Sequence, residues 1–395
     1  MTGPGTTATE AAAHMASLAN DLVLRGRITD ERWREVFAST PRHVFTPEFY
    51  RRTDGPDGTV WRTVTAADTG WLDAVYADVT HVTALDPATV RPAPGGGVTG
   101  VPTSSSTLPS VMAIVLGHLG LDDGDTVLEI GTGTGYTTAL LCERLGDAQV
   151  TSVDIDPGLV ENARRRLTDA GYAPELAATD GVTGYPARAP YNRIMATCSV
   201  PAIPDAWIRQ TRPGGLILAD VRGGVGGALA ALTVTGDGAA EGRFPADGAY
   251  FMPLRHDTVG YRDRPAPPPA PYDADTVDGR TSLDPMLLHD FAFGFVAQLH
   301  LPGVDIGHDT DDGAPATILT GTDGSTARIT TDGAEWRVHQ HGSRHLWSTV
   351  ETAHAWWTGA GRPDWSRFGM TVTPTQQTIW LDTPAGPAWP LPPTP

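Results

Sequence analysis

The stretch Val127-Leu128-Glu129-Ile130-Gly131-Thr132-Gly133-Thr134-Gly135-Tyr136 is a short apolar run that breaks into alternating glycines and then enters a helical pattern. It reads as a strand, a glycine loop and a helix start. Glycines accept positive φ and let the backbone approach a ligand closely, while the amides that open the helix meet a polar or negatively charged group. A nucleoside suits such a loop. The spacing is G-x-G-x-G, with Glu129 just ahead of it, rather than the G-x-G-x-x-G of a dinucleotide loop. A pyrophosphate at this helix start would meet a competing negative charge, so the oxidoreductase reading fails on spacing and electrostatics together.

Outward from the loop, Ser110 to Asp220 alternates helical and strand patterns. That alternation marks a parallel sheet with crossover helices. The runs Thr126–Ile130, Gln149–Val153, Arg193–Ala196 and Leu216–Val221 are apolar enough for strands buried on both faces. The fold class is therefore α/β and Rossmann-like. Asp154 ends the second of these runs, where a ribose diol would be held, and Asp180-Gly181 follows the third strand region, where an adenine amino group would donate. Each such charge-assisted bond is worth roughly 1.5 to 3 kcal/mol. Asp154 and Asp180 taken singly are as often helix caps or loop carboxylates. The three features in order at strand ends point to a sulfonium cofactor, whose cationic groups tolerate acidic neighbours. The candidate cofactor set is Glu129, Gly131, Thr132, Gly133, Gly135, Tyr136, Asp154, Ile155, Asp180 and Gly181.

Before the sheet, helical spacing from His14 to Arg25 and a shorter helix Asp30–Phe37 precede Pro- and Gly-rich stretches, with loops at Thr53–Gly58 and Asp86–Gly100. Residues 1–100 read as a helical and loop cap, not a regular sheet. Residues 101–262 read as the catalytic core. The run Pro265-Ala266-Pro267-Pro268-Pro269-Ala270-Pro271 places a semi-rigid linker at 263–274. Beyond it, residues 275–395 read as an appended smaller α+β domain. It carries alternating strands at Ala327–Thr330, Glu335–His339 and Thr378–Leu381 and a Trp-bearing helix near Trp347–Trp357.

The 28 Lys and Arg against 46 Asp and Glu, a formal net charge of -18, argue against nucleic acid as a partner, because phosphate binding needs a basic face. Cys142 and Cys198 present neither a disulfide framework nor metal-ligand spacing. No apolar stretch is long enough to span a membrane, and no secretory pattern opens the chain, so the expected compartment is the cytoplasm. His339, His341 and His345 are explained by alternate strand positions beside a polar loop, and no metal is expected. Trp347, Trp356 and Trp357 read as core. The acidic stretch Asp305–Asp312 reads as a solvated loop, with attraction of a basic leader peptide as the alternative.

The chain resembles protein-L-isoaspartate O-methyltransferases over roughly Leu18 to Arg255. The resemblance rests on Arg25-Gly26, Pro41-Arg42-His43-Val44-Phe45-Thr46-Pro47, Tyr76-Ala77-Asp78, the glycine loop, Asp180-Gly181 through Gly184-Tyr185, Ala189-Pro190-Tyr191, Val200-Pro201 and Pro213-Gly214-Gly215. It implies a class I methyltransferase using S-adenosylmethionine. It also implies a serine, ahead of the helix that precedes the glycine strand, in contact with the substrate carboxylate. Its counterpart lies in Thr103-Ser104-Ser105-Ser106-Thr107, with Ser105 nearest in pattern and Pro109 four residues on instead of two. That run, and the long second domain, resemble a branch found beside peptide-maturation enzymes such as ATP-grasp macrocyclases. The branch methylates aspartate in a modified precursor peptide, giving aspartimide or isoaspartate. Ser366-Arg367-Phe368-Gly369-Met370-Thr371-Val372-Thr373-Pro374 resembles its closing motif. The repair reading, on isoaspartyl proteins at large, is the alternative, and a small-molecule O-methyltransferase is a third.

A carboxylate with a pKa near ~4 is already ionised at neutral pH, so the reaction needs alignment more than a base. Neutral hydroxyls of Ser105, Ser106 and Thr107 are the catalytic candidates, since they hold a carboxylate without an ion pair that would blunt it. One member of the run is expected to cap the helix that opens at Pro109.

Overall fold

The computed structural model describes residues 4–55, 58–256, 276–311, 314–333 and 335–392. The expected linker at 263–274 lies outside the described residues. The chain forms two compact units. One comprises residues 1–198, 206–218 and 251–261, and the other comprises residues 199–205, 219–250 and 262–395.

The first unit opens with helices α1 (Pro4–Leu24), α2 (Glu31–Ser39) and α3 (Arg42–Phe45). Asp30 starts α2 by accepting the Arg32 amide at 3.0 Å. Where a loop-rich cap was expected, the chain builds a six-stranded sheet in the order β4-β5-β2-β1-β3-β6. Its strands are β1 (Glu48–Gly55), β2 (Gly58–Thr65), β3 (His81–Leu85), β4 (Arg91–Pro92), β5 (Val98–Thr99) and β6 (Pro102–Ser106), with helix α4 (Trp71–Tyr76) between β2 and β3. The reason is pairing rather than composition. Thr53, Thr59, Val60, Thr63 and Val64 are β-branched, and β1 and β2 pair residue for residue from Glu48–Thr65 to Gly55–Gly58. The glycines that suggested a loop mark the hairpin ends.

Helix α5 (Pro109–Leu119) leads into the glycine strand β7 (Val127–Ile130). Then come α6 (Tyr136–Leu145), β8 (Val150–Asp154), α7 (Pro157–Asp169), β9 (Glu175–Ala178) and β10 (Tyr191–Val200). Strands β10, β7, β8 and β9 lie side by side in that order and pair in parallel. Val127, Leu128, Val150, Val153 and Ile194 are fully buried, as two-sided coverage by helices requires. The α/β parallel core is thus as expected.

Helix α8 (Asp205–Gln210) and the long strand β11 (Thr211–Arg222) follow. The second unit contains β12 (Gly227–Val234) and β13 (Ala240–Arg243), then β14 (Thr276–Thr281), α9 (Phe291–His300), β15 (Val304–Asp311), β16 (Ala314–Gly321), β17 (Thr326–Asp332), β18 (Glu335–His341), α10 (Leu346–Gly359), β19 (Phe368–Val372), β20 (Gln377–Leu381) and β21 (Ala388–Pro390). Strands β12, β13, β19, β20 and β21 are antiparallel neighbours, and β14-β18-β17-β16-β15 form a second antiparallel sheet. The acidic stretch from Asp305 is mostly strand β15, paired with β16 from Val304 to Asp311, and not a loop. Asp305 and Asp309 are exposed on this edge strand. Trp347 and Trp357 are buried as expected for core. Among the described residues no helix is long and apolar enough to cross a membrane.

Candidate active site

Strand β7 ends at Ile130, and the next residues turn sharply over the carboxyl end of β8. The Gly131 and Thr132 amides donate to the Val153 carbonyl at 2.8 and 3.1 Å. Gly131 has φ 105°, and a Cβ there would sit 2.5 Å from the Thr197 hydroxyl, so both conformation and space demand glycine. The Thr132 hydroxyl is paired with Ser152 at 2.7 Å, which ties the loop down from below.

Asp154 is brought into the loop itself. One carboxylate oxygen accepts the Gly133 amide at 2.9 Å and the other accepts the Asp156 amide at 3.1 Å. Burial raises its pKa, against the pull of these amides and of the Arg255 charge. Each oxygen keeps lone pairs for a further donor. Ile155 follows, half-buried.

Glu129 is wholly buried in β7. One oxygen accepts the Thr138 hydroxyl at 2.5 Å, while the other has no partner. Burial pushes its pKa up to about 7, with the neighbouring Thr138 and Ser152 hydroxyls pulling it the other way. Tyr136 opens α6, but its ring is turned into the core, against Phe45 at 6.0 Å and beneath Arg42 at 5.9 Å. Backbone alone is what Tyr136 presents at the helix start.

Asp180 accepts the Val182 amide at 2.9 Å and stands 3.5 Å from the His256 imidazole. Gly181 is enclosed by Ile130 and Leu254, and its carbonyl accepts the Trp207 indole N–H at 2.8 Å. The segment Leu254-Arg255-His256 therefore lies beside both aspartates, and it carries no glycine or acidic signature by which the sequence would have declared it.

The hydroxyl run forms strand β6. Period-two alternation puts Ser104 and Ser106 on one face and Ser105 on the other. A Cβ built on Gly133 would lie 3.7 Å from the Ser104 hydroxyl and 3.9 Å from the Ser105 carbonyl oxygen, so the strand faces the glycine loop across a narrow gap. Within this run the Ser104 hydroxyl, buried and accepting from Thr83 at 3.1 Å, is the side chain nearest Gly133, a residue the motif reading passed over. Treating the run as a strand would have revealed it. Ser106 is buried against Arg42 at 3.5 Å. The Thr107 carbonyl also meets Arg42, at 3.2 Å.

No hydroxyl of the run caps α5. Leu108 occupies the cap position, and Asp78, from the Tyr76-Ala77-Asp78 motif, accepts the Ser110 amide at 2.8 Å instead. Pro109 removes one donor at this end, and a carboxylate beside a helix N-terminus outdoes a neutral hydroxyl.

Among the described residues no group of His, Cys, Asp and Glu is placed to hold a metal ion. His339, at an alternate position of β18, pairs with Asp278 at 2.6 Å. Cys142 and Cys198 are buried and form no disulfide.

The profile of one family, described as protein-L-isoaspartate(D-aspartate) O-methyltransferase (PCMT), matches residues 98–255. A protein-L-isoaspartate O-methyltransferase of Methanoculleus marisnigri is 34% identical over 196 residues, which covers 49% of this chain and 70% of the relative. Another, from Methanococcus maripaludis, is 40% identical over 113 residues, covering 28% of this chain and 53% of the relative. For several relatives the match spans about half of their length, 53%, 56% and 54%. A solved protein-L-isoaspartate O-methyltransferase superposes with a TM-score of 0.49 at 18% identity, covering 93% of this chain and 99% of that one.

Proposed function

This chain belongs to the protein-L-isoaspartate O-methyltransferase family, and on that premise we propose that it transfers a methyl group from S-adenosylmethionine to a carboxylate of a peptide or protein. The observation that carries the reading is the seating of the glycine loop against the hydroxyl strand, Gly133 beside Ser104 and the Ser105 carbonyl. Cofactor loop and candidate carboxylate site are neighbours.

The residues present fit the cofactor. A glycine loop that a side chain would obstruct, Asp154 with spare lone pairs, and a buried Glu129 oxygen without a partner suit a ligand bearing a diol and a cationic group. When bound, S-adenosylmethionine supplies an electrophilic methyl group. Asp154 would hold the ribose, Asp180 the adenine edge, and the loop amides the polar tail. The hydroxyls of β6 would align an already ionised carboxylate, which calls for no general base.

The substrate we favour is an aspartate side chain in a ribosomally made, macrocyclised precursor peptide, with residues 275–395 as its recognition domain. The hydroxyl-rich form of β6 and the long C-terminal extension support this choice. The ester offers the next backbone nitrogen a better leaving group, so it closes to an aspartimide, which persists or opens to isoaspartate. Repair of isoaspartyl proteins is the competing reading, supported by the relatives' names.

Mass spectrometry of methyl transfer to matched peptide sets separates the two. We expect gain of one methyl group and then loss of methanol on the macrocyclised precursor encoded beside the gene, with generic isoaspartyl peptides left unmodified. Turnover of generic isoaspartyl peptides with the precursor untouched would make the chain a repair enzyme. No transfer to either would sink the carboxyl reading.

A further inference from the structure

Arg42 is fully buried. Its guanidinium donates to the carbonyls of Val75 and Ala77 at 2.8 and 3.0 Å and of Val79 at 3.1 Å. On the other side it meets the Ser106 carbonyl and hydroxyl, both at 3.5 Å, and the Thr107 carbonyl at 3.2 Å. Its Nε has no partner. These partners are all neutral oxygens. Asp78 acts on Arg42 through space, while its own oxygens are engaged by the Ser110 amide and by Arg25. Burial lowers the Arg42 pKa to about 10, so it remains charged at neutral pH.

A buried cation answered only by neutral carbonyls carries an uncompensated desolvation cost, and burying it is worthwhile where an anion arrives from outside. The end of β6 is where such an anion would come. We propose that Arg42 is the positioning residue of the carboxylate site: its guanidinium, behind the Ser106–Thr107 backbone, supplies the positive potential that draws an ionised substrate carboxylate to β6 and releases the uncharged ester. This rests on the carboxyl-methyltransfer reading.

The reaction joins a carboxylate to a cationic methyl donor and leaves both products without that charge. A fixed positive potential at the carboxylate therefore favours the bound substrate over the charge-dispersed transition state. Its removal should raise KM for the acid, with kcat rising modestly rather than falling. The potential discriminates charge, which simple damage to the fold does not.

The test compares binding of the aspartyl peptide, and of the isoaspartyl peptide of the same sequence, with carboxamide analogues in which the reacting carboxyl is made neutral. For whichever acid is methylated, the wild-type protein should prefer acid to amide by about tenfold or more, and Arg42→Met should bring the two within roughly twofold. Arg42→Lys, which keeps the charge but not the fork, should retain most of the preference. S-adenosylhomocysteine affinity should be unchanged in both variants. Equal weakening of acid and amide in Arg42→Met would reduce Arg42 to a structural clamp and overturn the inference. If Arg42→Met does not fold, a wild-type or Arg42→Lys protein binding acid and amide equally overturns it on its own. In each of these cases methyl transfer by the wild type leaves the carboxyl reading standing. Transfer to neither acid would overturn reading and inference together.

Discussion

At the scale of single residues, the group most at odds with its surroundings is Glu129, a carboxyl with no exposure and one oxygen without a partner. Its sequence signature, an acid just before the glycines, was legible. Its protonation was not, because that depends on burial that only the folded sheet supplies. With a native pKa of about 7 against an ordinary value of 4.5, the folded state keeps its proton while the unfolded chain gives it up. Below both values the group contributes nothing. Between them stability falls as pH rises, and above the native value the cost is complete, on the order of 3 kcal/mol at most from a shift of this size. Glu129→Gln retains an acceptor for Thr138 and removes the titration. The variant should therefore gain on the parent as pH rises from 4.5 to about 7, then keep a constant lead. Urea midpoints across that range would show it, and parallel pH profiles for the two proteins would refute it.

At the scale of elements, what could be read depended on whether burial or pairing made the strand. Strands β7 and β8 are buried on both faces, so their apolar runs announced them. Strands β1 and β2 owe their existence to partners, and their own residues, rich in Arg, Thr and Gly, fall in what reads as a helical and loop cap. The same holds for β15, whose aspartates sit on a sheet edge. For β6 the sequence reading assigned no element, and that bears on function. By motif, its hydroxyls rank with Ser105 first. Seen as a strand, it turns Ser104 toward Gly133 and Ser105 away. Ser104→Ala should therefore lower kcat/KM for peptide methylation by about tenfold more than Ser105→Ala, a loss of the size expected for one hydrogen bond to a charged group. Steady-state kinetics on the same peptide decides it. A larger loss in Ser105→Ala would mean that the strand presents its other face to the substrate.

At the scale of the whole molecule, the Pro-rich run near Pro268 invites the chain to be cut there, and the packing of the second unit says what a cut would do. Residues 199–205 and 219–250 precede the run, yet they are held by residues after it. Strand β13 pairs with β19 from Ala240–Val372 to Arg243–Gly369. Phe244 packs on Phe295 at 5.1 Å, and the Trp365 indole donates to the Pro245 carbonyl at 2.8 Å. Gln377 closes both backbone groups of Ile203, accepting its amide at 2.9 Å and donating to its carbonyl at 2.7 Å. A chain ended at Arg262 would expose the edge of β13, leave Ile203 unsatisfied and uncover Phe244. An unpaired edge beside bare aromatic surface pairs with other copies, and its net negative charge is a weak defence at physiological salt. Residues 1–262 alone should thus elute as large aggregates and titrate no S-adenosylhomocysteine, whereas the full chain elutes as a defined species. Size-exclusion chromatography with light scattering and calorimetry would measure both. A well-behaved fragment that binds the cofactor would mean that the C-terminal strands are an attachment to a self-sufficient catalytic fold rather than the completion of it.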